Sequence, residues 1–271
     1  MIDNIKNKAK NLLENGDVQI VIGYAEGPDD SIIAHFAFKA EDVEKFIFNE
    51  ACVQNLSVYL VKSEIKKIGK ACIIAHVPAM RSILQIASEN QIKEDNLIVL
   101  GISSDNKLLE FKGFKDIETY IATANFDFSE EDKNLLKKLD EKTAEERRVY
   151  WNSQFSKCIK CYACRAACPK CYCTRCQVEF NTPQLITVEA TPMGNLEWHV
   201  MRAMHLAGRC VNCGDCGRAC PMSIPIHLLN FKTVETVKDK FDVTAGTSAE
   251  LDSVMSNYKP DDKENFIKHG L

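Results

Sequence analysis

Eleven of the chain's thirteen cysteines fall between Cys158 and Cys220, and no other feature narrows so far what these 271 residues can become. A disulfide scaffold spreads its cysteines along a short secreted chain; crowding inside a reducing compartment points to metal ligation instead. The remaining two, Cys52 and Cys72, sit in apolar stretches and read as buried small hydrophobes. The compartment follows from the N-terminus, where Met1-Ile2-Asp3-Asn4 opens a lysine-rich helix without the apolar stretch of a secretory signal. No run approaches the roughly 18 apolar residues of a membrane span; the longest, Gln19–Ala25 and Leu97–Ile102, read as buried strands. A cytoplasmic protein with no membrane insertion is therefore expected. A formal net charge of -4, with 27% charged residues, makes no electrostatic case for nucleic acid.

The cysteines repeat one pattern. Cys158-Ile159-Lys160-Cys161-Tyr162-Ala163-Cys164-Arg165-Ala166-Ala167-Cys168-Pro169 is followed by Cys210-Val211-Asn212-Cys213-Gly214-Asp215-Cys216-Gly217-Arg218-Ala219-Cys220-Pro221. Both match the C-x₂-C-x₂-C-x₃-C-P run of bacterial ferredoxins. Three thiolates at two-residue steps on a tight loop each reach one iron of a cubane, and the x₃ step lets a short helix carry the fourth away to the other cluster. The proline then ends the loop without an N–H that needs a partner. Carried over, Cys158, Cys161, Cys164 and Cys220 hold one 4Fe-4S cluster, and Cys168, Cys210, Cys213 and Cys216 hold the other. Zinc is the alternative, because C-x₂-C also opens zinc ribbons; a zinc site needs four thiolates and does not call for this run twice over.

Lys157, Lys160, Arg165, Lys170 and Arg175 crowd the first copy, whereas Asp215 lies inside the second. Positive charge favours the reduced, more negative cluster, so the first cluster is expected at the higher potential unless these side chains point to water. Cys171, Cys173 and Cys176 are left over. They make a third metal site if Cys52, Cys72, a histidine or a partner adds a fourth ligand; otherwise they pack as inert thiols beneath the loops. His199 and His205, on the amphipathic stretch Leu196–Ala207, read as packing and surface residues.

Elsewhere the pattern alternates. Residues 3–15 have helical periodicity and Gly16 stops them; strands follow at Val18–Tyr24 and Ser31–Phe38 around the turn Gly27-Pro28-Asp29-Asp30. Glu41–Lys67 reads as one or two helices, Lys70–His76 as a strand, Pro78–Ile92 as a helix and Asn96–Ile102 as a strand. The fold class expected is α+β or α/β: an N-terminal α/β domain, then a mostly helical two-cluster ferredoxin-like domain with a long insert, Pro169–Arg209. The divisions expected are a docking domain over 1–127, a charged helical connector over 128–156, the dicluster domain over 157–241, and an extended or partly disordered arm over 242–271.

The stretch from Tyr150 to Gly246 resembles the dicluster region of beta-type subunits related to the deazaflavin-reducing hydrogenases and formate dehydrogenases of anaerobes. The likeness is carried by Phe155–Arg165, by Cys168-Pro169-Lys170-Cys171-Tyr172-Cys173, by His205–Cys210 and by Ala219–Pro225, with a looser match at Glu41–Lys45 and Asn55–Leu60. The resemblance implies a subunit of a multi-subunit redox complex. It would relay single electrons between a catalytic partner and a ferredoxin- or heterodisulfide-reductase-like partner. The family also includes flavin-binding subunits, which leaves a second reading: a reductase whose N-terminal domain exchanges hydride with a deazaflavin or nicotinamide. Where relatives often carry Gly-Cys-Asp after the third strand, this chain has Ala75-His76-Val77-Pro78, and no strand leads into G-x-G-x-x-G. A bound flavin therefore has no independent support from these residues, and no catalytic residue is assigned.

Overall fold

The computed structural model describes residues 1–125, 129–180 and 182–255. The first helix, α1 (Ile2–Glu14), buries Ile5, Ala9 and Leu12 on one face, and Gly16 takes a left-handed φ of 73° just beyond its end. The chain continues through β1 (Ile20–Glu26), β2 (Ile32–Ala37), α2 (Ser63–Ile68), β3 (Ala71–Ala75), α3 (Val77–Ser88), β4 (Leu97–Ile102), β5 (Leu108–Phe111) and α4 (Phe114–Ile121). The strands make one mixed sheet in the order β2-β1-β3-β4-β5. Its centre is parallel, with Val21 opposite Cys72 and Ile73 opposite Val99; the edge strands β2 and β5 are antiparallel. Every residue of β3 and β4 is buried, as continuous apolar strands covered on both faces must be. Cys72 lies in that layer and Cys52 in the same core, and burial raises both thiols.

Two expectations are corrected here. Glu41–Lys67 is not one or two long helices but 3₁₀ turns at Ala40–Lys45 and Leu56–Tyr59 with only the short α2. Asparagine side chains take the backbone donors a helix would use: the Asn49 carbonyl oxygen accepts from Ala51 N–H at 2.9 Å, and that of Asn55 accepts from Ser57 N–H at 3.2 Å. Conversely, β5 and α4 lie where no element was expected. They follow a tight Ser103–Lys107 turn in which Asn106 takes φ 59°, a signal only two residues wide.

The charged connector forms α5 (Glu130–Asp140) and α6 (Ala144–Phe155), started by the caps Ser129 and Thr143, the latter in a capping box with Glu146. It is packed rather than free-standing. Leu136 and Leu139 share a cluster with Leu228 and Phe231 of the last helix, and His227 contacts Asp132 at 2.7 Å. The cysteine region adds α7 (Ala163–Ala166), α8 (Pro192–Leu206), α9 (Asp215–Arg218) and α10 (Ile226–Phe241).

Of the C-terminal arm, the described part returns to the sheet domain; the remainder lies outside the described residues. Arg81 donates to the Ala245 carbonyl at 2.7 Å, Gly246 N–H donates to Gln85 at 3.0 Å, and Ala249 N–H donates to Glu118 at 2.8 Å. Gly246 holds φ 72°, and a Cβ there would stand 2.3 Å from the Arg81 carbonyl oxygen. Gly246→Ala is expected to cost about 1–3 kcal/mol, read as a lower melting temperature of the loaded protein. An unchanged melting temperature would mean that this segment does not dock.

Candidate metal centre

The two cysteine loops fold alike, residue for residue. Lys160 and Tyr162 of the first take φ 51° and 60°; Asn212 and Gly214, at the same offsets in the second, take 62° and 79°. Three of these four are not glycine, a backbone conformation that costs roughly 1–2 kcal/mol each and persists only when the surroundings over-determine it. It turns amides inward: Lys160 N–H lies 3.4 Å from Cys158 Sγ, and Asn212 N–H 3.5 Å from Cys210 Sγ. Each loop then enters its short helix, α7 or α9, and these two helices pack against each other.

Cys158, Cys161, Cys164 and Cys220 line one small cavity, so the last cysteine of the second copy stands with the first three of the first. The reciprocal neighbourhood holds Cys168: the thiols of Cys210, Cys213 and Cys216 are each raised first by burial and further by the charge of Cys168. Burial pushes Cys164 up to about 11 and Cys213 up to about 12. As free thiols they stay protonated at neutral pH, so metal loading must release their protons. Among the described residues no three His, Cys, Asp or Glu side chains converge closely enough for a single metal ion. Four thiols spaced around a cavity are the donor set for a cubane, whose corners lie further apart than the 2.3 Å zinc–thiolate bonds of a zinc site allow. The residues present fit 4Fe-4S clusters.

Cys171, Cys173 and Cys176 do not converge on an ion. The Cys171 thiol shares a hydrogen bond with Cys168 and is raised by it; Cys173 is exposed; Cys176 packs against the apolar cluster around Phe155 and Trp198. The first cage opens to the surface, with Cys161 exposed and Ile159, beside it, 57% exposed. The second lies inward against the sheet domain.

That contact is polar and specific. Asn55 N–H donates to Asp215 Oδ2 at 2.7 Å, and Lys170 Nζ to Ser82 Oγ at 2.5 Å. Arg209 grips Glu89 through both oxygens, at 2.7 and 2.6 Å, and Tyr172 O–H donates to Glu89 at 2.8 Å. The positive side chains crowding the first copy are therefore divided. Arg165 pairs with Glu179 at 3.1 Å, and Lys170 is buried against Cys213, Cys168 and Cys210 of the second set. Its ammonium is lowered by burial, a shift that those sulfurs oppose once ionised. The higher potential expected of the first cluster thus loses one of its supporting charges to the other cage.

Side chains of the insert also reach the centre, and sequence reading missed them. Asn195 of α8 donates to the Phe155 and Cys158 carbonyls at 3.0 and 2.8 Å, fixing that helix across the first loop. Arg202 donates to the Cys164 carbonyl at 2.9 Å and has no carboxylate partner among the described residues. Burial alone would lower it; the sulfurs of Cys171, Cys168, Cys216 and Cys164, once ionised, raise it instead. The only sequence signal was three nitrogen-bearing side chains, Trp198, His199 and Arg202, on one face of a helix.

Residues 157–225 match the family of the 4Fe-4S dicluster domain. The chain is similar to F420-dependent formate dehydrogenase subunit beta of Methanocaldococcus jannaschii, 32% identical over 120 residues, which are 43% of this chain and 31% of that protein. It is 33% identical over 110 residues to F420-dependent formate dehydrogenase 1 subunit beta of Methanococcus maripaludis, 41% of this chain and 28% of the relative. The matches thus span about a third of the relatives' length. Among the described residues no helix is long and apolar enough to cross a membrane. The cysteine region is therefore a 4Fe-4S dicluster domain, carried by a chain similar to the beta subunits of F420-dependent formate dehydrogenases.

Proposed function

We propose that this chain is an electron-transfer subunit of a larger oxidoreductase, with Cys158, Cys161, Cys164 and Cys220 as ligands of an outer cluster and Cys168, Cys210, Cys213 and Cys216 as ligands of an inner one. The observation that carries the reading is the pairing of the two loops through α7 and α9, one cage at the surface and the other against the sheet domain. Bound there, such clusters supply one-electron storage at low reorganisation cost. The chain's own residues do the rest. The two left-handed positions in each loop aim amides at thiolates, Phe155 and Trp198 pack an apolar wall against Cys158, Cys164 and Cys220, and Lys170 and Arg202 offset negative charge in the interior. The polar contacts of Glu89, Ser82 and Asn55 hold the inner cage against the N-terminal domain, the docking platform for a catalytic partner in this reading. A ferredoxin- or heterodisulfide-reductase-like protein would meet the face that exposes Ile159 and Cys161.

A second reading has one observation behind it. A cavity of about 440 Å³ lies beyond the carboxyl end of β3, lined by His76, Pro78 and Arg218 and reaching Cys213. Clefts at that end of an α/β sheet are where ligands bind, so a flavin exchanging hydride with a deazaflavin or nicotinamide would have room beside the inner cage. Anaerobic purification tests both. The relay reading expects a brown protein bleached by dithionite, about eight irons per chain and no flavin absorbance. Stoichiometric flavin would replace it with the second reading, and colourless, zinc-loaded protein would remove both.

A further inference from the structure

Helix α8 brings three buried nitrogen-bearing side chains to the cages. Trp198 is 3%, His199 1% and Arg202 4% exposed. Trp198 Nε1, both ring nitrogens of His199 and Arg202 Nε make no hydrogen bond among the described residues. Trp198 Nε1, Arg202 Nε and one nitrogen of the His199 ring are buried N–H donors left without a protein partner among the described residues, so such a row calls for an acceptor. Position says which one. Trp198 and His199 line the same small cavity as Cys158, Cys161, Cys164 and Cys220. The His199 ring is stacked on Phe155, with centroids 4.5 Å apart and planes at 14°, and meets Trp198 edge-on. Asn195 one turn earlier and Arg202 one turn later are tied to carbonyls of the first loop, so the helix cannot swing the rings out.

We propose that α8 is the tuning helix of the first cluster: Trp198 and His199 donate N–H hydrogen bonds into its cage, and Arg202 supplies a buried positive charge shared with the second. This rests on the cluster-relay reading. A cluster gains negative charge on reduction, so N–H donors and a desolvated guanidinium favour the reduced form. The stacked ring of His199 fits this role without ligating, because Cys220 already completes the set of four thiols around that cavity.

The test uses the loaded full chain. His199→Phe keeps the stacked ring and removes the N–H. The first cluster's reduction equilibrium is expected to move about three- to tenfold toward the oxidised form, tenfold being about 59 mV for one electron, while the second moves less. Trp198→Phe is expected to act in the same direction. Because a variant could lose its cluster, a second measurement starts from the wild type: in protein labelled with ¹⁵N only in histidine, the reduced first cluster should show a weak ¹⁵N coupling by electron–nuclear double resonance. That coupling should vanish in any His199→Phe protein that retains iron. Unshifted potentials at full iron content, or no ¹⁵N coupling in the wild type, overturns the proposal while leaving the relay intact. Absence of 4Fe-4S signals altogether would sink both.

Discussion

A Cys220→Ser chain is expected to lose the cluster of the first motif, although Cys220 belongs to the second. The cavity lined by Cys158, Cys161 and Cys164 takes its fourth thiol from Cys220, and serine is a far poorer ligand for iron at neutral pH. Iron should fall from about eight to about four per chain, and the surviving paramagnetic signal should be that of a Cys158→Ser protein, not of Cys213→Ser. Cys168→Ser should do the reverse, leaving the outer cluster. If Cys220→Ser instead matched Cys213→Ser, each motif would close on itself and the exchange would be wrong. The effect is large because a cage with three thiolates leaves one iron open to solvent and loss.

Glu89→Gln should loosen the inner cage from the sheet domain by on the order of 2–3 kcal/mol, the low side of what removing one partner of a buried ion pair costs, since Arg209 keeps 25% of its side-chain surface. That corresponds to a melting temperature lower by about 5–10 °C. Burial alone would raise the Glu89 carboxyl, but the two-point grip of Arg209 outweighs it and holds the group below the usual carboxylate range. The sign follows. A carboxylate whose folded value is depressed contributes fully above the unfolded value of about 4.3 and loses that contribution as pH falls through the folded one. The wild type should therefore lose the advantage over Glu89→Gln below about pH 4 and hold it at neutral pH. A melting difference that stayed constant from pH 7 to acid would remove the ion pair as its cause.

Local pattern made much of this protein legible. α1, β1, β3, α3 and β4 announce themselves because apolar periodicity and glycine or proline punctuation act within a few residues. The stretch from Glu41 to Lys67 misled because asparagines redirect hydrogen bonds at single positions, and β5 was too short to show alternation. The cysteine runs were the clearest signal, since the reach of a thiolate from a tight loop constrains spacing directly.

What surrounds those thiols was not readable. Lys170 follows the first motif yet faces the second set, Cys171 meets Cys168 while Cys173 faces solvent, and α8 brings Trp198, His199 and Arg202 from three dozen residues away. The order of residues determines which cofactor the chain can hold, because ligand number and step length are covalent, short-range facts. How that cofactor is charged, hydrated and docked was decided only by folding. In a low-dielectric interior every buried cation, donor and missing water counts, and those neighbours are assembled from segments that the linear chain keeps apart.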